Sequence, residues 1–391
     1  MLTTFANVGA QEGLRDAQAV IALSLAGLPQ MLDPERNLFC FRMLKTRNGL
    51  VREGVSQRYT VMTLLGLHRA EMAGLQSSID KHAVFTALLE DKNWIDNAGD
   101  LGLLLWLGAV VFPERLPELC EITSEMVASR RFDMQGGGKT METAWLLSGL
   151  SHAVVADQSR FTQFRDWALS AYDSLCKNQA ESGLFGHQRA NSGALGIARG
   201  RIGSFADQVY PIYTLSQAAM AFEFKGSLDR ALSCAEAICA RQGALGQWWW
   251  HYESVSGRVV GRFPVYPVHQ DGMAPMALFA LSDASGMDFS KPIYRGLQWV
   301  TGNNELALDL RDDSAQLIWR NIRTSDFQRY AEELRAMMSR ESIASTNDLD
   351  FRVTYECRPY ELGWALYALA GRVPAATDSQ NIAEAVSEVR R

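Results

Sequence analysis

The chain has 391 residues, of which 47% are hydrophobic and 21% charged, and its formal net charge is −6. That balance fits a folded globular core and excludes the basic footprint of a nucleic-acid binder. No apolar run approaches the roughly 18 residues that a membrane-spanning helix needs. The opening Met1-Leu2-Thr3-Thr4-Phe5-Ala6 lacks the charged-then-apolar order of a signal peptide, so a cytoplasmic protein is expected.

Helical periodicity dominates the pattern. Almost wholly apolar helices are predicted over 17–32, 59–73, 101–111, 141–155, 209–224, 272–281 and 361–370. Amphipathic helices are predicted over 80–89, 116–129, 160–177, 228–241 and 325–340. The first set reads as an inner layer buried on all sides, the second as an outer layer with one wet face. Six of the inner stretches open on polar or charged residues, near Gln57-Arg58-Tyr59, Asp96-Asn97-Ala98-Gly99-Asp100, Lys139-Thr140-Met141-Glu142, Phe205-Ala206-Asp207-Gln208, His269-Gln270-Asp271-Gly272 and Arg358-Pro359-Tyr360-Glu361. Helix pairs recurring every 40 to 90 residues or so predict a closed ring of hairpins, an all-α (α/α)6 toroid whose inner helices gather one end around a single cavity. No Pro/Gly/Ser-rich linker divides the chain, so residues 1–391 are expected to form one domain, with 374–391 as a surface helix or frayed tail.

Pro211, Pro275 and Pro359 mark starts of inner helices, where the missing N–H costs little. Asp207 and Asp271 each lie four residues before their proline, which puts them in a loop or first turn. Taken singly, each such acid is a helix cap favoured by the macrodipole. Taken together, they are a ring of carboxylates at one mouth. The stretch 248–268 is rich in aromatic and β-branched residues around Ser254-Val255-Ser256-Gly257-Arg258 and predicts a β-hairpin beside that mouth. Residues 302–313 predict a polar loop.

Gly136-Gly137-Gly138-Lys139-Thr140 ends like a phosphate-binding loop, but Asp133 stands where the first glycine belongs and no strand precedes it. A turn into the next helix is the simpler reading. Cys40, Cys120, Cys176, Cys234, Cys239 and Cys357 form no C-x-x-C pair and read as reduced core residues. The six histidines show no ligand spacing either, so no metal site and no cofactor are expected. Oligomeric state is not legible in the sequence.

Two segments share the spacing Q-x-x-x-G-x-(W/F): Gln179 to Gly183 to Phe185, and Gln242 to Gly246 to Trp248. Each follows an outer helix. The spacing resembles the repeat of squalene-hopene cyclases and related terpenoid cyclase and prenyltransferase toroids. It is also similar to turns in six-hairpin glycosidases and lyases such as the unsaturated-uronide hydrolases. In both groups the glycine makes the turn, the glutamine caps a helix end and the aromatic packs between layers. The resemblance implies the toroid over about two thirds of the chain. The terpenoid branch implies a protonating D-x-D-D motif or a D-D-x-x-D site, and neither is present: Asp348-Leu349-Asp350 is followed by Phe351.

Glycosidic chemistry needs two carboxyl groups, one to donate a proton and one to act as base or nucleophile. It also needs aromatic platforms for sugar faces. Asp271 is the first candidate acid or base, because it stands at a helix entrance beside Gly272, which would leave room for a ligand. Glu361 and Asp207 are its candidate partners. Trp248, Trp250 and Tyr252 would share one face of a strand and, with Tyr360, would stack on substrate. His251 and His269 would orient substrate or relay protons. Arg58 and Arg358 would grip a uronate carboxylate with two parallel bonds, with Glu142 and Asp100 completing the ring. The expected activity is that of a glycoside hydrolase, lyase or epimerase on a glycan or uronate-containing oligosaccharide. The alternatives are a terpenoid cyclase or prenyl-diphosphate-binding enzyme, and a non-catalytic glycan-binding toroid in polysaccharide assembly.

Overall fold

The computed structural model describes residues 10–129, 138–188, 200–264, 266–324 and 350–373. The predicted outer helix 325–340 and the tail 374–391 lie outside the described residues. Six inner helices form a ring in sequence order: α2 (Gln57–Met72), α4 (Ala98–Val111), α6 (Thr140–Ala156), α8 (Ala206–Ala221), α10 (Ala274–Ser285) and α12 (Pro359–Leu369). Each packs on the next, and α12 closes the ring against α2. Outside them lie α1 (Ala10–Met31), α3 (Lys81–Glu90), α5 (Leu116–Ala128), α7 (Phe161–Asn178), α9 (Ser227–Cys239) and α11 (Ser290–Val300). This is the (α/α)6 toroid, with the first and last of the described helices, α1 and α12, together forming the sixth pair.

The inner helices are buried on every side. In α4 every residue from Gly99 to Ala109 is buried, so no polar stripe is needed. Side-chain caps fix where they start: Ser56 accepts the Tyr59 N–H at the head of α2, and Asn97 accepts the Asp100 N–H at the head of α4. Glycines set the spacing. A Cβ on Gly102 would overlap the Trp145 carbonyl of α6, and one on Gly363 would press on the backbone of α2 at Met62 and Thr63.

One predicted element shifts layer and one helix was not predicted. Residues 17–32 read as an inner helix, yet α1 is an outer one, packed on α12 and α11. The reason is alanine: beyond the exposed Glu12 and Arg15 of its first turns, Ala19, Ala22 and Ala26 face solvent while Ala17, Val20, Leu28 and Met31 are buried, so over 17–31 the wet face carries no charge that would reveal it. The pattern assigned no element to 290–300, where α11 lies; Pro292 sits in its first turn and is tolerated there.

The strands are short. β6 (Trp249–Glu253) and β7 (Arg258–Pro264) form the predicted hairpin, turning at residues 254–257, and β5 (Ile202–Ser204) adds a third strand. Near the chain start, β3 (Arg42–Thr46) pairs with β4 (Gly49–Glu53) on one side and with β12 (Glu356–Cys357) on the other, which ties the entry to α2 to the entry to α12. Small two-stranded pairs are made by β1 (Leu32–Asp33) with β2 (Leu38–Phe39), β8 (Arg311–Asp312) with β9 (Leu317–Ile318), and β10 (Asn321–Arg323) with β11 (Arg352–Thr354).

The two Q-x-x-x-G-x-(W/F) turns are built alike. Gln179 Nε2 donates to the carbonyls of Gly183 and Arg230, both at 2.9 Å. Gln242 Nε2 donates to those of Gly246 and Pro292, at 2.8 and 2.9 Å. Each glutamine thus staples its own turn to the first turn of the next outer helix. Gly183 and Gly246 sit at φ +84° and +92°, and a side chain on either would also strike the backbone of that helix. Phe185 and Trp248 are fully buried between the layers. Removing the staple leaves two carbonyls short of a donor, so Gln242→Ala is expected to lower stability by about 1–3 kcal/mol. A denaturant midpoint unchanged in Gln242→Ala would show that water takes over both bonds.

Candidate functional site

All six inner helices point their N-termini to one mouth, where their dipoles sum to a positive potential. Acidic side chains answer it, but they do so in different ways.

Asp100 and Asp207 are fully engaged. Asp100 takes a bidentate pair from Arg58 (2.7 and 2.9 Å), together with the Asp96 N–H and the Asn97 side-chain amide. This fastens the head of α2 to the head of α4, and the Arg58 guanidinium also lies 5.7 Å from the Trp145 ring. Asp207 accepts from the Ser204 N–H and hydroxyl (both 2.8 Å), the Met141 N–H (3.2 Å) and His187 Nδ1 (3.1 Å). The hydrogen bond to Asp207 raises the His187 pKa. Glu142 pairs with Lys139 in the first turn of α6 at 2.7 Å.

Asp271 differs from all of these. It lies in a π-turn, Val268–Met273, that runs straight into α10, so it stands inside a helix rather than at an entrance. Gly272 beside it packs against Trp364 and Ala365 of α12; the missing side chain makes room for a neighbouring helix, not for a ligand. Asp271 is 1% exposed, and among the described residues its Oδ1 has no hydrogen-bond partner. Burial, with the Glu361 charge nearby, pushes its pKa well above the usual carboxylate range. Its surroundings therefore favour the protonated form of Asp271.

The internal repeat explains why Asp207 and Asp271 are not equivalent. Gln208 reaches back to pair with both the N–H and the carbonyl of Phe185, and Gln270 accepts the N–H of Trp248. The two glutamines accept the same N–H at the two staple motifs, although Gln270 Nε2, unlike that of Gln208, has no partner among the described residues. The acid precedes the glutamine in one case and follows it in the other, so it points a different way around its helix.

Glu361 sits in the first turn of α12. Its Oε2 accepts the Arg358 N–H at 3.0 Å and its Oε1 meets the Arg320 guanidinium at 2.5 Å. Burial raises its pKa to about 7, against the opposing pull of Arg320. Arg320 is buried beneath Tyr266, whose ring centre lies 4.0 Å from the guanidinium carbon. Glu356 stands between three arginines: Arg358 at 2.6 Å, Arg42 at 3.1 Å and Arg320 at 3.4 Å. Burial alone would raise its pKa, but these cations hold it below the ordinary value. Arg358 also donates to the Tyr59 hydroxyl at 2.7 Å, and Tyr59 packs on Tyr360 with ring centres 4.5 Å apart. Arg58 and Arg358 thus already have anionic partners.

The aromatic residues divide. Trp248 and Tyr252 are fully buried against Phe205, while Trp250 is half-buried against Tyr266 and His269 at 4.8 and 5.9 Å. Register shifts at Trp249–His251 and His251–Tyr252 break the alternation that would have put Trp248, Trp250 and Tyr252 on one face. His251 stands on β6 opposite Ser204. His269 is buried, and burial followed by the Arg320 charge drops its pKa to about 3, so it is a neutral imidazole.

Two groups emerge. Asp271, Glu361, Arg320, His269, Tyr266 and Trp250 form one around the heads of α10 and α12; Asp207, His187, Ser204 and Glu142 form the other at the heads of α8 and α6. Sequence reasoning missed Arg320, Tyr266 and His187. A lone arginine in the apolar run Leu317-Ile318-Trp319-Arg320 was the one available signal, since a buried arginine requires a buried acid. Among the described residues no three His, Cys, Asp or Glu side chains gather as metal ligands, and no helix is long and apolar enough to cross a membrane.

No family model matches this chain, and no curated protein sequence does. Solved structures do. An unsaturated glucuronyl hydrolase specific for heparin superposes with a TM-score of 0.57 over 93% of this chain and 97% of its own, at 13% identity. A possible member of the GH105 family from Salmonella enterica serovar Paratyphi A gives 0.58 over 91% and 93%, at 10% identity. The unsaturated glucuronyl hydrolase of Bacillus sp. GL1 gives 0.55 over 92% and 95%, at 14% identity. The fold is an α/α toroid, shared with these structures. At these identities the likeness concerns architecture, and chemistry has to be argued from the site.

Proposed function

We propose that the protein is a carbohydrate-active enzyme of the glycoside hydrolase or lyase type, acting in the cytoplasm on an unsaturated or uronate-containing oligosaccharide by proton transfer between carboxyl groups, without a cofactor. The observation that carries this reading is the buried Asp271, whose Oδ1 has no partner among the described residues and whose pKa burial and the Glu361 charge push upward, in the electrostatic reach of the titratable Glu361. A carboxyl group kept neutral at working pH is a general acid, and a neighbour that ionises near 7 is a general base. In hydrolysis, Asp271 gives its proton to the glycosidic oxygen as the C–O bond breaks, and Glu361 accepts one from the attacking water. Trp250, Tyr266 and Tyr360 supply rings for a sugar face, and Arg320 holds Glu361 in place. Asp207, with four donors around it, serves as an organiser of His187 and the head of α6 rather than as the acid.

The pH dependence follows. Activity requires Glu361 ionised and Asp271 protonated, so kcat/KM is expected to rise as pH passes through about 7 and to fall again at the higher pH where Asp271 loses its proton. The two limbs belong to the pair rather than to either residue alone. A profile that instead falls through pH 7 on unsaturated uronate oligosaccharides would remove Glu361 as the base.

A second reading is favoured by the toroid interior. Trp106 and Trp364 are fully buried, Trp145 and Tyr210 nearly so, and Asp271 is a deeply buried acid at the end of this aromatic column. Aromatic faces stabilise cations, so the same acid would serve to protonate an alkene in an isoprenoid chain. Incubation with uronate oligosaccharides, neutral oligosaccharides and prenyl diphosphates, read by mass spectrometry, separates the two. A sugar product supports the first reading, a cyclised prenyl product supports the second, and no turnover of either favours a binding role.

A further inference from the structure

The opposite end of the ring holds a cavity of about 210 Å³ between the C-terminal halves of α2, α6, α8, α10 and α12. Trp106 and Trp364 separate it from Tyr210, Trp145 and the mouth described above. Its walls are of two kinds. Met220, Met276 and Phe279 make an apolar side, and Met220 is 55% exposed at the rim. Arg69, His152, Tyr213, Tyr367 and the Arg372–Asp283 pair make the polar side.

The charges on that polar side do not balance. Arg372 spends its guanidinium on Asp283 through two bonds, at 2.9 and 2.5 Å. Arg69, in the last turn of α2, lies over the Tyr367 ring at 5.8 Å, and no carboxylate among the described residues pairs with it. Part of its charge answers the helix C-termini gathered there, but that field is fractional and fades within a turn. Among the described residues, the Arg69 guanidinium is thus left facing the cavity without a carboxylate.

The hydroxyls add direction. His152 Nε2 meets the Tyr213 hydroxyl at 2.8 Å, which meets the Tyr367 hydroxyl at 2.7 Å. Burial, then Arg69, drops the His152 pKa to about 3, so the ring is neutral and free to take either tautomer. With the proton on Nε2, His152 donates to Tyr213, Tyr213 donates to Tyr367, and the last hydroxyl is free to donate into the cavity. An anion beside Arg69 selects that arrangement. We infer that this cavity binds a small organic monoanion, a carboxylate on an apolar or aromatic body, with the acid group between Arg69 and the Tyr367 hydroxyl and the body against Met220, Met276 and Phe279. The volume lies below the roughly 300–1,000 Å³ of drug-sized sites, which limits the ligand to a compact one.

Benzoate is the probe, followed by calorimetry and by ligand-observed NMR. It is expected to bind one-to-one, at least tenfold more tightly than benzyl alcohol, which has the body without the charge. Arg69→Met is expected to weaken benzoate at least tenfold, Arg69→Lys to restore part of the loss, and Tyr367→Phe to weaken it several-fold. Met220→Trp, which fills the rim from an exposed position, is expected to abolish binding, while Asp271→Asn at the far mouth leaves it unchanged. Thermal melts confirm that each variant is folded. The inference is overturned by the absence of saturable benzoate binding, by equal affinity for benzyl alcohol, or by indifference to Arg69→Met. None of these outcomes bears on the chemistry proposed for the other mouth.

Discussion

Asp271→Asn is expected to abolish turnover of the substrate by a factor of about 10²–10⁴, the usual worth of a positioned general acid, while leaving the protein as stable as before or more so. The two halves of that result have one cause. An amide has nearly the shape of a protonated carboxyl group, so the packing around Val268–Met273 is undisturbed. It cannot give up a proton, so the chemistry stops. The stability change carries a sign that pH exposes. The folded-state pKa of Asp271 is raised, so the folded protein holds that proton where the unfolded chain has lost it. The contribution of Asp271 to stability is therefore complete below the ordinary carboxylate pKa and declines as pH rises toward the raised value. Asparagine has nothing to lose, and its advantage over the parent should grow from acid to neutral pH. Thermal melts across that range, beside product formation by mass spectrometry, check both parts. A variant that melts lower at neutral pH would mean that Asp271 is ionised and partnered in the folded protein, and the acid role would go with it.

What the sequence showed and what it concealed divide along a physical line. Apolar runs interrupted by polar helix starts were enough to locate the inner ring, because residues such as Leu101–Leu107 have no wet face to blur the pattern. The paired Gln179 and Gln242 motifs were legible because each is a local device with a fixed spacing. The layer of α1 was hidden, since alanine on its solvent face carries no signal. The setting of Asp271 was hidden too: a π-turn is indistinguishable from a loop when only the distance to Pro275 is read, and the close approach of Gly272 to Trp364 spans more than ninety residues of chain. Arg58 with Asp100 and Arg320 with Glu361 bond across about forty residues, so no spacing rule could pair them. A carboxylate a few residues before a helix proline reads alike in sequence whether both its oxygens are engaged, as in Asp207, or one has no partner among the described residues, as with Asp271 Oδ1. That difference is the one that matters for chemistry, and it lives entirely in tertiary structure.

Arg320 is where removal of one side chain should cost the fold most. It is buried, lies against Tyr266, and faces both Glu361 and Glu356. Taking one member from a buried ionic cluster leaves charge without compensation, at a cost of about 3–5 kcal/mol. Arg320→Met keeps most of the packing volume, so what it reports is mainly electrostatic. Without the guanidinium, the folded-state pKa values of Glu361 and Glu356 both move upward, because Arg320 lowers each of them in the parent. A carboxyl group raised on folding contributes stability that is lost as pH rises. The variant should therefore lie closest to the parent in mild acid, where both acids take up protons, and fall furthest below it above pH 7, where Glu361 would otherwise ionise. Denaturant titrations in mild acid and in mild alkali measure the two ends. Adding Glu361→Gln to Arg320→Met should recover part of the alkaline loss, since it removes one of the stranded charges, and the double-mutant cycle isolates that coupling. A loss equal at both ends would assign the role of Arg320 to its stacking on Tyr266. A loss that grows with pH and is relieved by Glu361→Gln would identify Arg320 as the group that lets Glu361 carry a charge inside the protein at all, which is the condition for its acting as a base.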